Sequence, residues 1–492
     1  MKTTSASTLW QEIVAATADL GSEGSVFRIP LFVEFRQPPG SLRGRIGAAI
    51  GMCAPFLTLP RNAGEHSPRG RVLFCFPHRT HSNLNNLLPV AREALRRGLL
   101  GGILTARDLS AELHEFVGLA PIVSAEQLLG QLGIRERVRN VARVAKTYKQ
   151  ISAALPRHLQ GFRLTGRRAR LAQEVVVSVL YDSVCKRVLD RWLPSCVIST
   201  SDFWPLEHQL CCQASRRQIP SLVIQHGVID DFWWPFVANL YCMWGDAHAD
   251  QMRRLGAPAE RLTVLGMPAT DNLFRRSNAG QHRPVGNRVQ PVCLLLSQTN
   301  GRSYEPQAFR SYRQFLAEAV NLMPSITWKV KLHPVEDDSF YREMGEAVYR
   351  RLTFHAKHVS LEEAVNDADV ATTVFSTAGL ESMIMDRPLI VAPATPRVQE
   401  VAWWPTMGGG TYAVSAQEFQ IQLTKLILDQ DHRARQMDKQ REFLSKSFAN
   451  QGHAAERIVD LLERYSDRLP ASRTQSRLSA GIGEGSAAPR AQ

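Results

Sequence analysis

The chain reads as an α/β protein made of two doubly wound, Rossmann-like domains. Three observations predict this. Short apolar runs of strand composition alternate with segments whose apolar residues recur at helical spacing. The alternation occurs twice, on either side of a stretch that has no apolar period. The length of 492 residues also exceeds what one ordinary core organises.

The first series opens with "RVLFCF" (71–76) as a strand and "LNNLLPVAREALRRGLL" (84–100) as a helix. It resumes with the strand "SCVIST" (195–200), the helix 205–218, the strands 221–225 and 238–244, the helix 247–256 and the strand 261–266. From 275 to 290, "RRSNAGQHRPVGNRVQ" is rich in Gly, Pro, Asn and charge and reads as a linker. The second series comprises the strand 292–297, the helix 306–323, the strand 327–333, the helix 338–352, "LEEAVNDA" (361–368), the strand 370–376, a helix from Thr377 and the strand 388–393. Short apolar strands separated by helices predict parallel sheets covered on both faces, with ligands outside the strands' carboxyl ends in an interdomain cleft. The expected domains are therefore 71–274 and 291–465. Residues 1–70 carry no pattern that assigns them, and the Ser-, Ala-, Gly-, Pro- and Arg-rich 466–492 reads as a disordered tail.

An apolar fraction of 44% and a charged fraction of 21% belong to a soluble globular protein. No run approaches the ~18 apolar residues of a bilayer span, and the N-terminal segment lacks the apolar block of a secretion signal. A cytoplasmic location is expected. The eight cysteines contain no C-x-x-C pair and read as buried thiols. The formal net charge is +13, which implies an anionic partner. Part of the excess lies between 135 and 170, where positions 135, 137, 139, 143, 146, 149, 157, 163, 167, 168 and 170 are basic and Glu136 is the one acid. A solvated helical face and an anionic membrane surface are the two readings; nucleic acid is not expected, because no nucleic-acid-binding signature accompanies the patch.

Three constellations follow predicted strands. In "SLVIQHG" the strand stops on Gln225, His226 and Gly227. His226 is placed to take a proton from a hydroxyl, or else to bind a loop backbone, and Gly227 permits a positive φ or a close approach to a ligand. In "KVKLHPVEDD" Lys331 and His333 fall on one side of a strand that Pro334 ends, which suits phosphate or carboxylate. In "VATTVFSTAGLES" the strand passes through Ser376, Thr377 and Gly379 into a helix, whose N-terminal amides suit phosphate. Capping accounts for either hydroxyl alone, but not for both with the glycine. "FPHRTHSN" adds His78, Arg79 and His81 after the first strand as acceptor-binding candidates, loop capping being the alternative.

"PSLVIQHG", "WGDAHADQMRRLGAPAERLTVLGMPATD", "KLHP", "VFSTAGLESMIMDRPLI" and "NQGHAAERIVDLL" occur in the order seen in GT-B glycosyltransferases of the capsule polysaccharide type. These are related to the CDP-glycerol glycerophosphotransferases and, more loosely, to bacterial sialyl- and Kdo-transferases. The resemblance covers residues 195–465. It implies a GT-B-like fold, His226 as catalytic base, His333 and Pro334 at the nucleotide donor, Ser376 and Thr377 at its phosphate, and Glu381 at a ribose hydroxyl. Sialyltransferases use an acidic base in the first domain, for which Asp202 or Glu207 of "STSDFWPLE" stands in. The tryptophan-containing first motif of the glycerophosphotransferases is absent, which speaks against glycerol phosphate as the transferred group. "DAD" (367–369) matches the metal motif of the other major transferase fold, but it lies at a helix end and reads as solvent-exposed.

The sequence thus predicts a metal-independent glycosyltransferase without cofactor, at the cytoplasmic face of a membrane. It would move a sugar from a nucleotide-sugar to a saccharide or lipid-linked saccharide acceptor, with Lys331 and Gly379 completing the donor site. The rival readings are a sugar-nucleotide epimerase of the same fold and a non-catalytic, membrane-associated assembly protein.

Overall fold

The computed structural model describes residues 72–467, apart from 77–80, 110, 159–167, 230–232, 234–235, 281–288, 298–305, 334–335 and 393–402. Two sheets organise it. The first contains β1 (Val72–Phe76), β2 (Leu100–Thr105), β3 (Ile122–Ser124), β4 (Cys196–Ser199), β5 (Ser221–Ile224), β6 (Leu240–Met243) and β7 (Leu262–Val264), in the order β3-β2-β1-β4-β5-β6-β7. The helices that precede β8 in the chain are α1 (His81–Arg96), α2 (Ala125–Gly130), α3 (Ile134–His158), α4 (Arg168–Trp192), α5 (Pro205–Arg216), α6 (Asp246–Arg254) and α7 (Asp271–Asn278). The second sheet contains β8 (Val292–Leu296), β9 (Thr327–Lys331), β10 (Leu352–Phe354), β11 (Val370–Thr373), β12 (Leu389–Val391) and β13 (Thr411–Tyr412), in the order β10-β9-β8-β11-β12-β13. The helices that follow β8 in the chain are α8 (Pro306–Leu322), α9 (Ser339–Arg342), α10 (Glu346–Tyr349), α11 (Leu361–Asn366), α12 (Thr377–Ile384), α13 (Ala416–Leu428), α14 (Gln430–Ser447) and α15 (Ala454–Asp467).

Both sheets are doubly wound. β1 runs parallel to β2 and β4, and β8 parallel to β9 and β11, so in each sheet the winding reverses beside its first strand. Such a reversal parts the connections on the two sides and opens a crevice at the strands' carboxyl ends. β1, β8 and β12 are buried along their whole length, which is why they read as unbroken apolar runs rather than alternating ones, and β11 is equally buried although it ends in Thr372 and Thr373.

The described residues form two compact units, one drawn from 72–224, 236–241 and 456–467 and one from 225–233 and 242–455. In the second, Trp244, Met267 and Phe274 share a buried cluster with Trp328, Trp404 and the strands β8, β11 and β12. Two motifs noticed separately in the sequence meet here: the Asp271 carboxylate accepts from the Ala454 and Ala455 amides at 2.9 Å each and so caps α15. Gly266 (φ +98°) makes this approach, since a Cβ there would lie 2.2 Å from the Ala449 carbonyl oxygen.

Several expectations change. The helix expected over 338–352 is two four-residue helices, because Gly345 turns at φ +96° between them. The residues that follow form β10. The helix expected to reach 100 ends at Arg96, and after Gly98 (φ +70°) the chain becomes β2. Residues 275–278 of the expected linker belong to α7. α15 extends past the expected start of the tail, with Ser466 buried and its hydroxyl 3.0 Å from that of Ser195. All seven cysteines in the described residues are buried thiols outside any disulfide. No helix among the described residues is long and apolar enough to cross a membrane.

Candidate functional site

The second sheet's crevice lies between the carboxyl ends of β8 and β11. After β11 the chain is folded onto the sheet: the Thr373 hydroxyl donates to the Leu296 carbonyl at 3.4 Å and accepts from the Ser376 amide at 3.1 Å. Ser376 is the N-cap of α12, its hydroxyl accepting from the Ala378 amide at 3.3 Å, while the Gly379 amide donates to the Ser376 carbonyl at 2.9 Å. Gly379 does not have positive φ; it is packed so tightly that a Cβ would meet the Thr373 Cγ2 at 2.8 Å. Ser376 thus caps the helix and Gly379 is required for packing, besides the phosphate role expected of both.

What remains facing outward is Thr377, Ala378 and Glu381, since every other residue of α12 is buried. Thr377 and Glu381 lie one turn apart on the same face. The Glu381 carboxyl has no hydrogen-bond or ion-pair partner among the described residues, and burial in apolar surroundings pushes it up to about 7. A carboxyl that ionises only near pH 7, one turn into a helix and beside a hydroxyl and the positive dipole end, suits the ribose hydroxyls and phosphate of a nucleoside diphosphate.

The neighbouring β8–β9 end is held by two residues not singled out from the sequence. Buried Glu336 accepts from the Ser297 hydroxyl at 2.6 Å and from the His333 amide at 3.3 Å, and its own amide donates to the His333 carbonyl at 2.9 Å. An acid three residues after the histidine of "HPVE" was the available signal, because a carboxylate at that offset closes a turn as a capping box does. His333 is exposed at this turn, and Pro334 lies outside the described residues. Lys331 is the last residue of β9, its neighbours in charge are Glu363 and His355, and burial lowers its pKa from the ordinary lysine value. Strand alternation does not carry over from Lys331 to His333, since β9 has ended between them.

The "QHG" stretch divides into three roles. Buried Gln225 accepts from the Trp244 amide at 3.0 Å, donates to the Gly227 carbonyl at 3.0 Å, and its own carbonyl accepts from the Trp244 indole at 2.8 Å. It is a structural tie. His226 is half-buried with its ring 5.1 Å from that of Trp233, whose indole donates to the Val228 carbonyl at 3.0 Å. Gly227 does not have the positive φ expected of it; a Cβ there would meet nothing within 4 Å.

In the first unit Asp202 is fully buried, where it accepts from the Val237 amide at 2.7 Å, the Ala238 amide at 2.9 Å and the Tyr241 hydroxyl. Burial raises its pKa against those hydrogen bonds. The structure gives it the work of anchoring the segment before β6, and no exposed edge at which to meet an acceptor hydroxyl. Glu207 is equally buried, its carboxyl raised well above the usual range by burial and then by Asp202. His78 and Arg79 lie outside the described residues; His81 begins α1, and its side chain lies outside them too.

The "DAD" stretch is not solvent-exposed as expected. Asp369 is buried and accepts from the Val292 amide at 2.8 Å, so it ties β8 to β11, and Asp367 pairs with Lys329. Among the described residues no group of three or more His, Cys, Asp or Glu side chains is placed to share a metal ion.

No protein-family model and no curated protein matches the chain. Solved structures do. One is that of S. aureus MnaA with UDP (TM-score 0.52, 12% identity, 81% of this chain and 98% of that one). Another is the UDP-GlcNAc 2-epimerase of Neisseria meningitidis bound to UDP-GlcNAc (TM-score 0.50, 12% identity, 80% and 99%). A third is Anabaena Alr3699/HepE in complex with UDP and glucose (TM-score 0.50, 13% identity, 80% and 99%). At these identities the likeness shows the fold: two Rossmann-like parallel-sheet domains of the GT-B-like kind, as the sequence predicts.

Proposed function

We propose that this protein is an enzyme acting on a nucleotide-sugar, and that the crevice at the carboxyl ends of β8 and β11 holds the nucleoside diphosphate. The observation that carries the reading is the outward corner of α12, where Thr377 and the unpartnered Glu381 share a face at a winding reversal of the sheet. Glu381 would donate to or accept from a ribose hydroxyl, Thr377 and the helix dipole would meet phosphate, and the exposed His333, on the turn braced by Glu336, would add a donor.

Epimerisation of the sugar is the reading supported by the comparisons, since structures sharing this fold include UDP-GlcNAc 2-epimerases, one of them bound to UDP-GlcNAc. An epimerase removes and returns a proton at one sugar carbon, work for which the half-buried imidazole of His226 is suited. The second reading, glycosyl transfer to a saccharide or lipid-linked acceptor in capsule or surface polysaccharide synthesis, is supported by the ordered motifs of residues 195–465. There His226 would take the acceptor hydroxyl's proton. Both are proposed to proceed without a metal.

The test is incubation with UDP-GlcNAc and other UDP-sugars in D2O, with no acceptor and with EDTA, followed by NMR. The epimerase reading predicts an inverted sugar carrying solvent deuterium at the inverted carbon. A nucleotide-sugar that stays unchanged until a saccharide acceptor is supplied, and then releases UDP, overturns it in favour of transfer.

A further inference from the structure

Helix α3 (Ile134–His158) has two faces of different character. At roughly 100° per residue, Asn140, Thr147 and Ile151 form a buried seam. The seam packs toward α4: Asn140 accepts from the Ser183 hydroxyl at 3.0 Å, and Arg143 pairs with Asp182 at 2.7 Å. About 130° around the helix, Ile134, Val138 and Val141 are 81%, 63% and 60% exposed, and exposed Ala145 continues the row. The next sector, roughly 80° wide, holds Arg135, Arg139, Lys146 and Lys149, all exposed and without an ion-pair partner among the described residues.

This sorts a basic cluster that looked uniform in the sequence. Arg137 donates to the Leu132 and Gly130 carbonyls and Arg143 is paired, so both belong to the fold. Arg163 and Arg167 lie outside the described residues, as do the side chains of Arg157, Arg168 and Arg170. What is left is an apolar row with four bases beside it. A helical face that only met water would have polar residues at 134, 138 and 141. A face for a polyanion in water would need the bases but would gain nothing from the apolar row. An anionic bilayer surface uses both, taking the apolar row below its headgroups and the bases among them.

We propose that this face of α3 docks the protein on an anionic lipid bilayer. The inference does not rest on the proposed reaction. It bears on that reaction, because a docked enzyme stands where a lipid-linked acceptor would be, whereas a soluble nucleotide-sugar needs no membrane.

The test is co-sedimentation of the full chain with vesicles of two parts phosphatidylcholine to one part phosphatidylserine, and of phosphatidylcholine alone, at ~0.1 M salt. The wild type should bind the anionic vesicles about tenfold or more tightly than the neutral ones. Replacing Arg135, Arg139, Lys146 and Lys149 by Gln should abolish that preference. Ile134→Ser with Val138→Ser and Val141→Ser should weaken binding about tenfold with the net charge unchanged. All these side chains are exposed, so the thermal midpoint and any nucleotide-sugar turnover should stay as in the wild type. Absence of wild-type binding, or wild-type binding by the apolar triple variant, overturns the proposal; the latter would make the face a reader of polyanions in general.

Discussion

Glu381 is where stability and binding pull apart. Its carboxyl is raised from 4.5 to about 7 in the folded protein by burial alone. Below pH ~4.5 the group is protonated in both folded and unfolded chains and costs nothing. As pH rises from about 4.5 to 7 the unfolded chain releases the proton first, so stability falls through that window and stays lower above it. Glu381→Gln should therefore melt higher than the wild type at pH 8 and alike at pH 4, with a gain on the order of 2 kcal/mol after discounting for partial exposure. Thermal melts at the two pH values check this. The glycines give a second contrast. Gly379→Ala should cost about 1–3 kcal/mol, since the Thr373 methyl stands in the way, while Gly227→Ala should leave the melting midpoint unchanged because nothing is near. The sequence marked both glycines as ligand positions. Their difference was not legible there, because it depends on what the fold brings to each Cα.

At the scale of elements, β1, β4, β5, β8 and β11 were legible, while β2, buried beside β1 but carrying Gly101 and Gly102 in place of apolar residues, and the short irregular pieces were not. β1, β8 and β11 are fully buried runs that announce themselves by composition. β10 and β13 are edge strands of three and two residues, too short to show a pattern, and the helix pair around Gly345 hides in a helical period that only a positive φ interrupts. The strand-to-helix turn that carries Ser376, Thr377 and Glu381 was legible as an element, since it follows β11 directly. Glu336 was not, because its value lies in reaching back to Ser297 across 39 residues. Asp202 shows the opposite error: a polar residue after a strand reads as catalytic, yet here it satisfies two amides and a phenol. Asp202→Ala should cost about 3 kcal/mol or more in a denaturant melt, because those donors are left buried and unpaired. A stable variant with lost turnover would restore the catalytic reading.

For the whole molecule, the doubly wound order of the second sheet does what no single residue does: it places the start of α12 beside the end of β8, so that residues 80 positions apart frame one crevice. The account stands on that crevice holding a nucleoside diphosphate. The most direct test is titration calorimetry of UDP and UDP-sugars against the wild type and Glu381→Ala, at pH 7.5. The account predicts saturable wild-type binding and a loss of about tenfold to a hundredfold in the variant, the worth of a hydrogen bond to a buried carboxyl. The variant should melt no lower than the wild type. Equal affinity in both proteins, or no heat from the wild type with any of these nucleotides, would contradict it.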